Sequence, residues 1–194
     1  MSKQEVKKYK GESTFFTSDL HFGHTNFLTK HFGKRHEVYG YDVDAMNNGL
    51  IANWNSVVKP DDDVFHLGDI GFLQFTKLKP LVERLNGRLH LLIGNHDERL
   101  DFSNVVEIEK NIDIEVDKQY ITMSHFPAYT WNGCHRGSWM LCGHEHGNIN
   151  RDPHMTTWKI MDVGIDCHPE YKPFSFGDIK RIMDIRQTRS HHGN

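Results

Sequence analysis

Residues 89–97 read Leu89-His90-Leu91-Leu92-Ile93-Gly94-Asn95-His96-Asp97, and this stretch decides the fold class. Four aliphatic residues around one histidine, closed by a glycine, predict a short buried strand. The chain then leaves the strand on a turn carrying an amide, an imidazole and a carboxylate. The same pattern recurs. Thr14–Ser18 is followed by Asp19-Leu20-His21, and Val64–Leu67 by Gly68-Asp69. Tyr120–Ser124 is followed by His125, and Trp139–Cys142 by Gly143-His144-Glu145-His146. Lys159–Ile165 is a sixth strand-like run.

Helical periods fall between these strands. Val43, Met46, Leu50 and Trp54 recur every three to four residues, as do Leu78, Leu81, Val82 and Leu85. Both stripes predict core-facing helix surfaces, and Gly87 is expected to close the second helix. Strands alternating with helices define an α/β domain.

The 194 residues form one expected domain, 1–194, with polar ends at 1–12 and 187–194 that are expected to fray. The formal charge of −3 gives no basic excess for a nucleic-acid duplex. Cys134, Cys142 and Cys167 are an odd number at irregular spacing, which fits reduced thiols rather than a disulfide framework. No basic start followed by an apolar run marks a signal peptide, and no run approaches the ~20 apolar residues of a membrane span. A cytoplasmic chain with no membrane partner is expected.

In open α/β sheets ligands bind outside the carboxyl ends of the strands. If the five strand ends converge, they bring together Asp19, His21, Asp69, Asn95, His125, His144 and His146. Oxygen and nitrogen donors without thiolate suit Mn²⁺, Fe, Zn²⁺ or Ni²⁺. Seven are too many for one such ion and suit two, with a carboxylate such as Asp69 shared between them. Gly68, Gly94 and Gly143 each precede one of these polar residues, where glycine permits a sharp turn.

Asp-x-His, Gly-Asp, Gly-Asn-His-Asp, a lone His and Gly-His-x-His, in this order over residues 14–165, resemble the calcineurin-like metallophosphoesterases. The opening Asp19 to His24 resembles the small single-domain bacterial and phage members. The resemblance implies a four-layer sandwich of two mixed β-sheets flanked by helices. It implies two divalent metal ions, with Mn²⁺ favoured. Asp19, His21 and His146 would hold one and Asn95, His125 and His144 the other, with Asp69 bridging. His96 would face the phosphate, with Asp97 orienting its ring. The protein-phosphatase branch carries Asp-Arg-Gly after its Gly-Asp, where this chain has Ile70-Gly71-Phe72.

The expected activity is hydrolysis of a phosphate ester, small molecule or nucleotide, with a diester favoured. The expected nucleophile is a hydroxide shared by the two metals, and His96 is acid or electrostatic partner. His24 and Arg99 are candidates for substrate contact. His66 and His90 lie inside strands and are expected to be packed. Lys30, Lys34, Arg35 and His36 read as a solvated basic cluster. One alternative keeps the fold as a catalytically silent interaction scaffold. Another is a zinc module built from Cys134, Cys142, His144 and His146, whose spacing is poor.

Overall fold

The computed structural model describes residues 6–29 and 34–189. The strands, in chain order, are β1 Lys7–Tyr9, β2 Thr14–Thr17, β3 Asp63–His66, β4 Arg88–Leu92, β5 Val105–Glu109 and β6 Asn111–Val116. They continue as β7 Gln119–Ser124, β8 Trp139–Cys142, β9 Ile160–Asp162 and β10 Phe174–Ser175. The helices are α1 Arg35–Tyr39, α2 Val43–Asn55, α3 Phe75–Val82, α4 Asn148–Arg151, α5 Pro153–Thr156 and α6 Phe176–Asp184.

One sheet has the order β10-β2-β3-β4-β5 and the other β1-β6-β7-β8-β9. Each mixes parallel and antiparallel pairs: β10 runs against β2 and β6 against β7, while the remaining pairs are parallel. The period of two along each strand builds the layers. Phe15, Val64 and Leu89 turn toward α2 and α3, where they meet Met46, Leu50, Trp54, Leu78 and Val82. Phe16, Phe65, Trp139 and Leu141 turn inward and form the core between the sheets. Met140, Cys142 and Ile160 face the far side, against Trp131, Cys134 and Ile149. This is the two-sheet α/β sandwich flanked by helices that the sequence implies.

Both apolar stripes are core-facing, as expected. Several details differ. Helix α3 ends at Val82, and Gly87 stands at the entry to β4 with φ of +96°. Residues 7–9, placed in a fraying end, form an edge strand parallel to β6, and Gln187 bridges to Trp158. Strands β5 and β6 were not expected, because their charged residues masked the alternation of Ile112, Ile114 and Val116. Arg35 belongs to no solvated cluster, since its side chain is fully buried. Lys30 of that cluster, residues 1–5 and residues 190–194 lie outside the described residues. Among the described residues no helix is long and apolar enough to cross a membrane.

His66 and His90 are packed, as expected for strand histidines. His90 lies between the carboxylates of Asp63 and Glu107. His66 is fully buried, its Nδ1 accepting from the Gly68 N–H at 3.3 Å. Burial lowers its pKa to about 3. The folded value lies below the unfolded value near 6.5, so the unfolded chain takes up a proton that the fold refuses. That stability is present above about pH 6.5 and is lost as pH falls toward the folded value. His66→Asn keeps an acceptor for Gly68 and removes the titration. Urea unfolding between about pH 6 and 4 should therefore show a loss smaller than wild type by about 1.4 kcal/mol per pH unit. Equal losses in the two proteins would contradict this assignment.

Candidate metal centre

The carboxyl ends of β2, β3 and β4 from one sheet meet those of β7, β8 and β9 from the other. Backbone bonds join them. Ser18 bridges to Gly164 in parallel, and the Ile165 N–H donates to Ser18 O at 2.8 Å. Asp19 N–H donates to Gly68 O at 3.0 Å, and His21 N–H to Asp69 O at 3.1 Å.

Five residues at this junction have left-handed backbone: Asp19 (φ 57°), His21 (50°), Asp69 (58°), His144 (71°) and His146 (46°). For a residue with a Cβ this conformation costs about 1–2 kcal/mol. Such strain persists where surrounding structure over-determines it, commonly at functional sites. Glycines clear the space for the carboxylates. A Cβ on Gly94 would lie 2.2 Å from Asp69 Oδ1, and one on Gly143 would lie 2.5 Å from Asp19 Oδ2. Gly68 alone of the three expected glycines has positive φ.

Asp19, His21, Asp69 and His125 are all buried, with Asp19 at 0% exposure. His21 Nε2 lies 3.7 Å from Asp19 Oδ1 and 3.6 Å from Asp69 Oδ2. His125 Nε2 lies 3.5 Å from the same Asp69 oxygen. One carboxylate oxygen thus sits between two imidazoles. Asn95 Oδ1 joins the second side, 2.9 Å from His125 Nε2 and 3.0 Å from His144 Nδ1.

The donor chemistry fits a cation. His125 Nδ1 donates to Leu67 O at 2.8 Å, so in the neutral ring Nε2 carries a lone pair. With the Asn95 amide in this orientation, that lone pair faces two oxygens that only accept. Asp19 Oδ1 and both ring nitrogens of His21 are buried without a hydrogen-bond partner. Groups left that way cost stability unless something compensates. Two overlapping sets, Asp19-His21-His146 and Asp19-Asp69-His125, have ligand atoms within 4.8 Å of one another. These buried groups can hold metal ions. All seven expected ligands therefore come together. Asp19 falls in both sets, and Asp69 Oδ2 is the oxygen that lies between His21 and His125.

Supporting residues with no site role expected from the sequence lie behind the candidate ligands. Arg35 donates from Nε and Nη2 to the two oxygens of Asp166, each at 2.7 Å. Its remaining donors reach Asp19 O at 2.8 Å and Leu20 O at 2.7 Å, so it clamps the strained Asp-x-His turn from below. Asp166 Oδ2 is 3.4 Å from His146 Nδ1. Burial opposes the ionised Asp166, but Arg35 outweighs it and holds the carboxyl well below its usual range. Asp162 accepts from the Gly147 and Gly164 N–H groups at 2.7 Å each, and burial raises its pKa to about 6.

One expectation changes, and the two substrate-contact candidates take defined surroundings. Asp97 does not orient His96: Oδ2 accepts from Asp69 N–H (2.8 Å) and Gly94 N–H (2.9 Å), and Oδ1 from Ile70 N–H (3.0 Å). It ties the Gly-Asp turn to the Asn-His-Asp turn. Arg99 is exposed, paired in fork geometry with Asp101 and lying 4.1 Å over the Phe75 ring, so its charge is already matched. His24 stacks on Phe72 at 4.4 Å, and burial lowers its pKa to about 4, leaving it uncharged at neutral pH. His96 is exposed at the rim, its N–H donating to Asp69 Oδ1 at 2.9 Å and its ring edge-on to Phe72. Cys134 and Cys142 pack in the apolar layer outside the second sheet, with Cys142 Sγ directed to Met161 O, which removes the basis for the zinc module.

The fold and the site define a two-sheet α/β protein with a buried histidine–carboxylate cluster competent for metal. No protein-family model matches the chain. It is 31% identical over 176 residues to the uncharacterized protein MJ1445 of Methanocaldococcus jannaschii, covering 88% of this chain and 90% of that protein. The chain belongs to the family of MJ1445. It is also 37% identical over 91 residues to the gene 66 protein of Mycobacterium phage L5, covering 44% of this chain and 40% of the phage protein. Among solved structures, the protein of unknown function AQ665 from Aquifex aeolicus shares the fold. Its TM-score is 0.64 at 23% identity, over 87% of this chain and 98% of its own. A structure described as a novel archaeal phosphodiesterase reaches a TM-score of 0.41 at 16% identity, over 78% of this chain and 82% of its own.

The hydrogen bonds of Asp97 predict what its loss does. Asp97→Ala strands three backbone N–H groups, each costing about 1–3 kcal/mol where water cannot replace the partner. Thermal unfolding of metal-free protein should show clear destabilisation. A variant as stable as wild type, deficient only in turnover, would return Asp97 to the role of orienting His96.

Proposed function

We propose that this chain is a metal-dependent phosphoesterase of the calcineurin-like metallophosphoesterase type, acting on diesters in preference to monoesters. The observation that carries the reading is Asp69 Oδ2, placed 3.6 Å from His21 Nε2 and 3.5 Å from His125 Nε2. A carboxylate buried between two imidazoles, with unpartnered acceptors around it, is the donor arrangement of a site for two cations. Asp19, His21 and His146 would hold one ion and Asn95, His125 and His144 the other, with Asp69 shared. Mn²⁺ is the favoured ion, with Fe, Zn²⁺ and Ni²⁺ as alternatives for such donors. When bound, divalent ions neutralise phosphate charge and acidify water.

The chain's own residues supply the rest. Arg35 and Asp166 hold the Asp-x-His turn and His146 in place. Asp97 fixes the relation of Asp69 to Asn95. His96 stands at the open rim, where its ring is placed to give a proton to a departing alkoxide. The preference for diesters follows from Ile70-Gly71-Phe72 standing where protein phosphatases carry Asp-Arg-Gly. A phosphate ester of a small molecule or nucleotide is the proposed partner, and the compartment is proposed to be the cytoplasm.

Metal analysis with turnover of an aryl phosphodiester and the matching monoester tests the proposal. Wild type should bind two ions per chain and turn over the diester faster. Asp69→Asn, which removes the charge and one of two equivalent oxygens, should lose metal and fall to the background of metal-free protein. Near-normal turnover in that variant with both ions retained would sink the reading.

His96→Ala should keep both metals. Turnover of an alkyl ester should fall by about 10²–10⁴-fold, because a poor leaving group needs the proton. An aryl ester should lose much less. Equal losses on both esters would make His96 an electrostatic partner only, and loss of metal would make it a ligand.

A further inference from the structure

Among the described residues, Phe72 and Phe126 are the phenylalanines that stand well exposed, each at 51%, and both touch site histidines. An exposed phenyl ring has no polar tip to satisfy in water, unlike tyrosine. Phe72 is also held in place. One face stacks on His24 at 4.4 Å with the rings 13° from parallel, and its ring meets His96 edge-on at 5.2 Å. Phe72 also lines a cavity of about 270 Å³ that runs from His96 along the start of α3.

The walls of this cavity narrow what it takes. Phe72 gives apolar ring surface, Phe75 lies behind it covered by Arg99 and Phe102, and Gln74, Glu98 and Arg99 give polar edges. Arg99 is engaged with Asp101, its guanidinium carbon lies 4.1 Å from the centre of the Phe75 ring, and Asp97 and Glu98 add carboxylates to the lining. The cavity therefore suits a flat, uncharged ring with hydrogen-bonding edges rather than a second anion. His96 belongs both to the rim of the metal centre and to this cavity, so a group bound here lies on the His96 side of a phosphate held at the centre. The net charge of −3 gives no support for a polynucleotide partner.

We propose that the cavity beside His96 is a nucleobase subsite, with Phe72 as its stacking platform, and that the substrate is a small phosphodiester carrying a nucleoside. The proposal rests on the phosphoesterase reading for the phosphate and on the Phe72 cavity for the base. Phe72 is a specificity-determining residue in this scheme. Stacking on one aromatic residue is sequence-tolerant, so the subsite is expected to accept purines and pyrimidines alike.

Binding of adenosine 5′-monophosphate, ribose 5-phosphate and phenyl phosphate to Mn²⁺-supplemented protein, measured by calorimetry, separates the base from the phosphate. The nucleotide should bind roughly tenfold more tightly than the sugar phosphate, the scale of one base–aromatic stack. Phe72→Leu should bring the two together, and Phe72→Trp should keep them apart. Equal affinity in wild type, no binding of either, or a preference that survives Phe72→Leu would overturn the subsite. Phenyl phosphate binding as tightly as the nucleotide would overturn the assignment to a base in favour of a simple aryl group. Turnover of an aryl diester by the same samples keeps the two readings apart. Base preference without turnover would remove the catalytic reading and leave the subsite, and turnover without base preference would do the reverse.

Discussion

Two carboxylates, Asp19 and Asp69, are buried where the two sheets meet, and much of the surrounding structure serves to keep them there. An isolated buried carboxylate is strongly disfavoured and takes up a proton unless charges and hydrogen bonds compensate. For Asp19, burial pushes the pKa up, but His21 and the nearby His146 and His125 outweigh it and the carboxyl titrates below its ordinary value. Its Oδ2 accepts the His144 N–H at 3.0 Å, while Oδ1 is left to the site. For Asp69, Oδ1 accepts from the His96 N–H and Oδ2 faces two imidazoles. In each case one oxygen is spent on holding the loop and the other is directed at the centre.

That constraint explains features that are costly in isolation. Left-handed backbone at five polar residues lets the chain turn off a strand and return its side chain to the sheet end. Gly94 and Gly143 are needed because the carboxylates occupy the space of a Cβ. Arg35 carries a full charge into the interior, which is tolerated because every direction of its fork finds an acceptor. Its interaction with Asp166 extends to His146, so one ion pair sets both the first turn and the last of the candidate ligands. Rigid placement of ligands by neighbours of this kind is what gives a metal site its geometry.

The candidate ligand set was legible because each member follows a strand whose aliphatic run is plain, as at Leu89–Ile93 and Trp139–Cys142. A strand end fixes where the next side chain goes, so sequence order translated into convergence. Strands β5 and β6 were missed because Glu107, Glu109, Asp113 and Glu115 dilute the apolar run, although their period of two was present. Helix α6 was missed despite its Ser175-x-x-Asp178 capping box and the spacing of Phe176, Ile179 and Met183. Arg35 was not legible at all. It sits beside Lys34 and His36, and only the partner 131 positions away, Asp166, makes it a core residue. The role of Asp97 was likewise hidden, since backbone N–H groups leave no trace in the identities of Asp69, Ile70 and Gly94. Phe72 reads as one more apolar residue until its exposure beside His96 is seen.

The central claim is that Asp69 is shared between two cations. Anomalous diffraction from crystals of the Mn²⁺-loaded protein tests it most directly. The account predicts two peaks on either side of Asp69, one beside His21 and His146 and the other beside Asn95, His125 and His144. A single peak, or two peaks that leave Asp69 uncoordinated, would contradict it.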